Sequence, residues 1–462
     1  MTVILAFILG FTTPVYPGES IQDALDSSLA GDTVQVMPGI HHGSGENLIV
    51  IEENHNGIVL LGKNAEPSSV ILSGDSLSDS IIYIDCSTSG QIDTTMVISG
   101  FTFMNGYAST DAFGGAIHTR HSSPLIQYSR FIQCEADNGG GIYSWKGAPV
   151  IRFCDFQSNE CISAGAGIYL YSSEASVSHC RFQDNLCWDD GGSIFCYHCS
   201  PVVFNCLFTG NSAYDDGGGI YCYALSHPDI SFCTFYDNYA QNTGSAVYFR
   251  VSSSPELHHN IVTGNTGPAF YIQDSGDPVF SFNCVWGNPD GNYGNLPDPT
   301  GTSGNFSADP ILVDDFFLSQ TAAGQSFDSP CVNSGGDFSE AYDLNLTWTR
   351  TDSVTDSSVV DLGYHHGQDS GWQSSPQWPE YNLLYIYPNP TPGPLTVVIP
   401  GDGNYDLLEI YDLSGRRIFS ENINNGKSVS VDISWHSTSG IYLVRISGES
   451  SSLAGRITVL RK

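Results

Sequence analysis

Four aromatic side chains keep one distance from a repeated isoleucine. Trp145 follows Ile142 by three positions, Tyr171 follows Ile168, Tyr197 follows Ile194 and Tyr223 follows Ile220. If these segments are strands, each Ile points inward and the ring three places on points outward, because side chains alternate across a strand. A second outward row, directly after each Ile, holds Tyr143, Tyr169, Phe195 and Tyr221. Acidic pairs precede the same segments: Asp189-Asp190 and Asp215-Asp216, with Asp137-Asn138 one strand earlier in the series. Aromatic rings stack on sugar faces and carboxylates accept from sugar hydroxyls. The pattern therefore suits a polysaccharide bound along Trp145, Tyr171, Tyr197, Tyr223, Asp189 and Asp215. The plainer alternative is that stacked rings only stabilise a sheet. That alternative is stronger for the row next to Ile, whereas a large exposed apolar patch marks an interaction surface.

Asp189, Asp190, Asp215 and Asp216 are also the candidate metal ligands. Strands one repeat apart would set Asp189 and Asp215 about 5 Å apart, at a cost on the order of 1–3 kcal/mol if both are ionised. Ca2+ takes several oxygen ligands and would relieve that repulsion; solvated turn carboxylates are the plainer reading. The same separation, roughly 5 Å, fits a retaining glycoside hydrolase, and Asp137 to Asp189 at about 9–10 Å approaches the inverting range. A polysaccharide lyase needs an Arg or Lys base and positive charge, but residues 1–310 hold only seven basic side chains. Arg130, Asp155 and Arg181 share one repeat position and read as a salt-bridge stack, which leaves Arg120 and Lys146 adjacent. The expectation is a non-catalytic adhesion or glycan-binding protein, with a lyase or hydrolase as the alternative.

The elements that position these residues repeat about every 26 residues between Phe101 and Asn283. Gly-rich beats recur at Gly114-Gly115-Ala116-Ile117, Gly139-Gly140-Gly141-Ile142, Gly165-Ala166-Gly167-Ile168, Gly191-Gly192-Ser193-Ile194, Gly217-Gly218-Gly219-Ile220 and Gly244-Ser245-Ala246-Val247. Between them runs F-x-x-N: Phe156 to Asn159, Phe182 to Asn185, Phe208 to Asn211 and Phe235 to Asn238. A fixed period of this length implies a solenoid with one coil per repeat. Short β-branched and aromatic runs between Gly, Asn, Asp and Ser clusters read as strands and turns. Stacked coils would bury Ile151, Val177, Val203, Ile230 and Leu257 in one column, and the Asn positions suit a ladder of side-chain amides. Cys154, Cys180, Cys206 and Cys233 occupy one position and read as stacked buried thiols. The G-G-A-I and F-x-x-N signatures resemble the polymorphic outer-membrane protein repeat. They also resemble the right-handed parallel β-helix of the pectin-lyase-like superfamily, so the resemblance implies that fold and no particular chemistry.

The remaining chain frames this scaffold. With 49 acidic and 15 basic residues the net charge is −34, which disfavours nucleic acid and anionic membranes. The apolar run Val3 to Leu9 is too short to span a bilayer and reads as part of a signal peptide over 1–14. Residues 15–370 read as the β-helix with a helical cap and closing coils. Ser20 would cap a helix whose Ile21, Leu25 and Leu29 share one face. Closing coils fall over 305–365, and His365-His366 reads as structural rather than as metal ligands. A linker follows at 371–380. Tyr387-Pro388-Asn389-Pro390, Ile410 to Arg417 and Gly440 to Arg445 then resemble the type A C-terminal sorting domain of the type IX secretion system. Over 381–462 this implies a small Ig-like β-sandwich, export by the type IX machinery and surface attachment.

Overall fold

The computed structural model describes residues 11–366, except 44, 64–66, 87–91, 110–112, 345–346, 352–353 and 357, together with the strands of a second unit between 385 and 459. The chain divides into two compact units, 1–374 and 375–462. The first is an all-β parallel solenoid of about ten turns of about 26 residues each. Its sheets have eleven, ten, ten and five strands. One coil shows the order. Ile142–Trp145 lies in sheet three, Val150–Arg152 in sheet one, Asp155–Gln157 in sheet two and Glu160–Ala164 in the short sheet four. Ile168–Tyr171 then re-enters sheet three.

Register is held by identical side chains falling on one another. Ile142, Ile168, Ile194, Ile220 and Val247 pair in sequence without a slip. Ile151, Val177, Val203, Ile230 and Leu257 do the same in sheet one. Both sets are buried. A one-residue slip would turn every one of them to solvent, so the burial fixes the register. In sheet two Phe156, Phe182 and Phe208 stack at 4.7 and 4.8 Å with planes within 6°. The F-x-x-N amides form the expected ladder: Asn159 Nδ2 donates to Asn185 Oδ1 at 2.9 Å, and the pattern repeats at Asn185 and Asn211. Each amide is buried and bonded, so the turn leaves no unpaired polar group in the core. Gly191 sits at φ +71, the left-handed region that glycine enters without a Cβ clash. The four column cysteines are buried free thiols, and Cys154 Sγ donates to Arg152 O at 3.3 Å.

At the N-terminal end Ser20 Oγ accepts from Asp23 N at 3.0 Å and starts the helix Ile21–Asp26, which buries Ile21, Ala24 and Leu25. The helix stops before Leu29, which is 74% exposed, so Leu29 does not share the buried face expected for it. Thr12–Val15 already pairs with Thr33–Val36, so sheet one begins inside the stretch 1–14 read as a leader. Residues 1–10 lie outside the described residues.

Beyond the last coil the chain returns along the outside of sheet two. Asp315 pairs with Arg181, Phe316 packs on Tyr236, and Tyr364 N donates to Thr234 Oγ1 at 3.0 Å. His365 N donates to Asn205 Oδ1 at 2.6 Å and accepts back at its carbonyl at 2.9 Å. Leu207, Thr234, Ile261 and Cys284 alternate with the inward Phe208, Phe235, Val262 and Val285, yet all four are buried beneath this segment. His365 itself is buried between Asp356 Oδ2 at 3.0 Å and Gly363 O at 2.9 Å, and His366 stacks on Phe317 at 3.9 Å.

Among the described residues the second unit has two antiparallel sheets. One joins Tyr385–Tyr387, Pro394–Val398 and Ser428–Asp432. The other joins Arg417–Asn422, Leu407–Asp412, Gly440–Ser447 and Ser452–Val459. The 371–380 linker lies outside the described residues.

Candidate functional site

Sheet three presents two outward columns, and both run further than the aromatic rows alone. The column beside Ile runs Tyr83, His118, Tyr143, Tyr169, Phe195, Tyr221, Tyr248, Tyr271. Although outward, Phe195, Tyr221 and Tyr248 are buried by stacking on one another and by Ala164 and the second column, and Tyr143 is buried between Phe113 and Tyr169. Burial also pushes His118 down to about 4, with Arg120 adding to the effect.

The second column runs Asp85, Arg120, Trp145, Tyr171, Tyr197, Tyr223, Arg250, Gln273. Its four rings are half-buried. Tyr171 and Tyr197 lie parallel within 7°, with centroids 4.8 Å apart. Two rings lying flat and edge to edge on a surface cannot approach that closely, so these two face each other along the solenoid axis. Both residues are half-buried, and what the stacked pair leaves to solvent is ring edge rather than the shared ring face. Tyr223 breaks the stack with a 47° tilt to Tyr197. Cations close both ends: Arg120 and Lys146 lie 4.7 and 5.0 Å from the Trp145 ring, and Arg250 lies 5.8 Å from Tyr223. Arg120 Nη1 also donates to the Tyr83 hydroxyl at 3.1 Å and stands 3.8 Å from Asp85.

The acidic residues gather where sheet four turns into sheet three. Asp189, Asp190 and Asp215 bring carboxylate oxygens within 4.8 Å of one another. Asp216, the fourth candidate ligand, is instead buried and accepts from Thr243 N at 3.1 Å and Thr243 Oγ1 at 2.7 Å. Burial, with the carboxylates of Asp189, Asp216 and Asp215, pushes Asp190 up to about 7. Burial and Asp215 raise Asp189 as well. The two columns are one network. The Tyr248 hydroxyl donates to Gln273 Oε1, and Arg250 lies over the Tyr223 ring and 3.9 Å from Asp274. Three carboxylates from two coils form an oxygen-only donor set that fits a hard cation such as Ca2+, with water or a ligand supplying the remaining oxygens.

Trp188 and Tyr214 belong to this surface and were not among the residues singled out from sequence. They stack at 5.4 Å and 20° in the turns just after the sheet-four strands, one residue before Asp189 and Asp215. Trp188 Nε1 donates to Glu160 Oε1 at 2.6 Å. Ile162 and Tyr239 extend the patch and are 54% and 41% exposed. Their signal was available as Trp-Asp-Asp followed one period later by Tyr-Asp-Asp. Arg130, Asp155 and Arg181 are in register on sheet two, and the ion pair of Arg181 is with Asp315 from the returning chain.

Residues 42–235 and 208–296 match the family of right-handed β-helix regions, and the chain belongs to that family. Residues 385–460 match the secretion-system C-terminal sorting domain, which indicates secretion to the cell surface or the medium. Among solved structures, a PL6 family alginate lyase is similar at 12% identity and a TM-score of 0.38, over 79% of this chain and 59% of its own. The catalytic unit of a thermostable GH87 α-1,3-glucanase from Streptomyces thermodiastaticus is similar at 13% identity and a TM-score of 0.28, over 70% of this chain and 71% of its own. The chain thus spans 59% of the length of the alginate lyase. No curated protein matches it. Among the described residues no helix is long and apolar enough to cross a membrane.

Proposed function

We propose that the protein is a surface-attached, non-catalytic binder that holds a glycan on the outer face of sheet three and the adjoining turn. One observation carries this reading. Trp145, Tyr171, Tyr197 and Tyr223 stay half-exposed over four coils beside an acidic turn, while the outer face of sheet two is closed by the returning chain. Because Tyr171 and Tyr197 face each other, sugar contact there runs through ring edges and hydroxyls, with the carboxylates of Asp189 and Asp215 accepting from sugar hydroxyls. Sorting-domain cargo held at the surface would present this face to a neighbouring cell or matrix.

The test is a glycan array with the full chain, with and without Ca2+, followed by Trp145→Ala with Tyr197→Ala. Both side chains point away from the inward column, so the melting temperature should shift only slightly. Binding should fall about tenfold or more, since aromatic anchors dominate recognition surfaces. Full binding by a variant that melts like wild type would mean the ligand sits elsewhere.

A second reading is favoured by Asp190. A carboxyl held near 7 with two further carboxylates, Asp189 and Asp215, within 4.8 Å is a proton donor beside candidate second carboxylates, the pairing a glycoside hydrolase uses. Release of reducing sugar that disappears in Asp190→Asn would support this reading over the first.

A further inference from the structure

Two histidines adjacent in sequence meet where the returning chain lies on the solenoid. His258 ends the sheet-one strand Glu256–His258, and His259 follows at φ +61 in the turn toward sheet two. Their Nδ1 atoms lie 2.9 Å apart. Each outer nitrogen has an acceptor of its own. His259 Nε2 stands 2.6 Å from the carbonyl of Gly335 in the returning chain, and His258 Nε2 stands 3.0 Å from Asp229 Oδ1 on the preceding coil.

These three contacts fix the number of protons. A carbonyl and an ionised carboxylate offer only lone pairs, so both Nε2 atoms carry a proton. The gap between the Nδ1 atoms takes one proton. Two would oppose each other there, and none would set lone pair against lone pair. The pair therefore closes with three protons, one ring neutral and the other an imidazolium. His259 is the neutral ring. It is buried flat between Phe232 and Phe282, whose ring centroids lie 4.6 and 5.2 Å away with planes within 9°. That burial pushes it down to about 4. The charge falls on His258, which is partly exposed beside the Asp229 carboxylate. Among the described residues, the other charged or titratable groups facing the pair are Glu256, two places before His258 on the same side of its strand, and Asp337, Tyr342 and His365 of the returning chain.

We infer that His258 and His259 form a latch that fastens the returning chain to the solenoid, held shut by one proton between the rings and opened by a second proton on His259. With both Nδ1 atoms protonated the rings must part. An imidazole is rigid, so Nε2 leaves the Gly335 carbonyl as Nδ1 turns away. Gly335 N donates to Val360 O at 2.9 Å and Val360 N to Asp337 O at 2.8 Å, while Leu362 packs with Ile261 and Cys284. Opening therefore loosens the segments round Gly335 and Val360 together and uncovers the part of sheet two beneath them.

Hydrogen exchange of the full chain between pH 7 and 3.5, corrected for the intrinsic rate, tests this at the amides of Gly335, Val360 and Gly363, all bonded in the closed state. His259 takes its proton more readily once the latch is open. Protection should therefore fall about tenfold per pH unit between about 6.5 and 4 and level off below. His259→Gln keeps a donor for the Gly335 carbonyl and takes no proton, so protection in this variant should not follow that slope. Nitrogen NMR of the full chain labelled at histidine gives a reading on the unaltered protein. At pH 6 His259 should be the neutral Nε2–H tautomer and His258 the imidazolium, the signals assigned by substituting each in turn. The same slope in His259→Gln, or a neutral His258 at pH 6, would overturn the latch.

Discussion

Asp190→Asn isolates the charge on the acidic turn. Burial and three neighbouring carboxylates hold this group near 7, against 3.8 for an ordinary Asp. The folded state therefore keeps a proton that the unfolded chain releases. The associated stability is fully present below about pH 4, is lost as pH rises through 7, and is flat above. A displacement of about three units is worth about 4 kcal/mol at about 1.4 kcal/mol per unit. Asp190 is partly exposed, and water or a cation screens part of this, so about 1–3 kcal/mol is the expected size. Asparagine keeps the shape and an oxygen for Asp216 N, 3.3 Å away, without the charge. The variant should match wild type near pH 4, gain steadily to pH 7, and melt several degrees higher above it in EDTA. Thermal melts across this range would show the divergence. Ca2+ should raise the melting temperature of wild type at high pH more than that of the variant. A constant offset at every pH, or a variant less stable at high pH, would refute the argument that carboxylate repulsion is stored in this turn.

Ile194→Asp places an unpaired carboxylate in the inward column and should cost several kcal/mol, disrupting neighbouring coils together; an unchanged circular-dichroism melt would contradict the continuous column. Removing residues 385–462 should leave the solenoid in the periplasm, which cell fractionation reads directly. His259 is held near 4 by burial and bonds Gly335 O at 2.6 Å. Its folded value is depressed, so the unfolded chain binds the proton first and stability drains away as pH falls from 6.5 through 4. His259→Gln should flatten part of that acid limb in a pH series of melts.

The scaffold was legible because its information is local and repeated. Ile142, Ile168 and Ile194 recur at one spacing, and in-or-out alternation alone then assigns Tyr143 and Trp145 to the outer face. What escaped is what alternation does not encode. Leu207, Thr234, Ile261 and Cys284 point outward yet are buried, because residues distant in sequence return over sheet two. Leu29 fits a helical face in sequence, but the chain turns at Ser27 and Ser28 before reaching it. Trp188 and Tyr214 sit in a turn, where no period-two rule assigns direction. Arg250 joins the aromatic column only once the coil from Ile220 to Val247 is seen to be one residue longer than the coil before it.

Ring orientation is the deepest of these gaps, and it changes what the site can recognise. A row of Tyr and Trp in sequence suggests ring faces offered to a ligand. In a parallel solenoid each coil places its ring about 4.8 Å from the next, too close for rings to lie flat side by side, so they stack on one another. Tyr171 and Tyr197 do so. The ladder then spends its faces on its own cohesion, and recognition passes to the hydroxyls and to the charged groups beside them. Near this face those groups are Asp189, Asp190 and Asp215 at the turn into sheet three and Arg120, Lys146 and Arg250 at the two ends of the column. Charge, more than aromatic stacking, should therefore set which chain the surface selects.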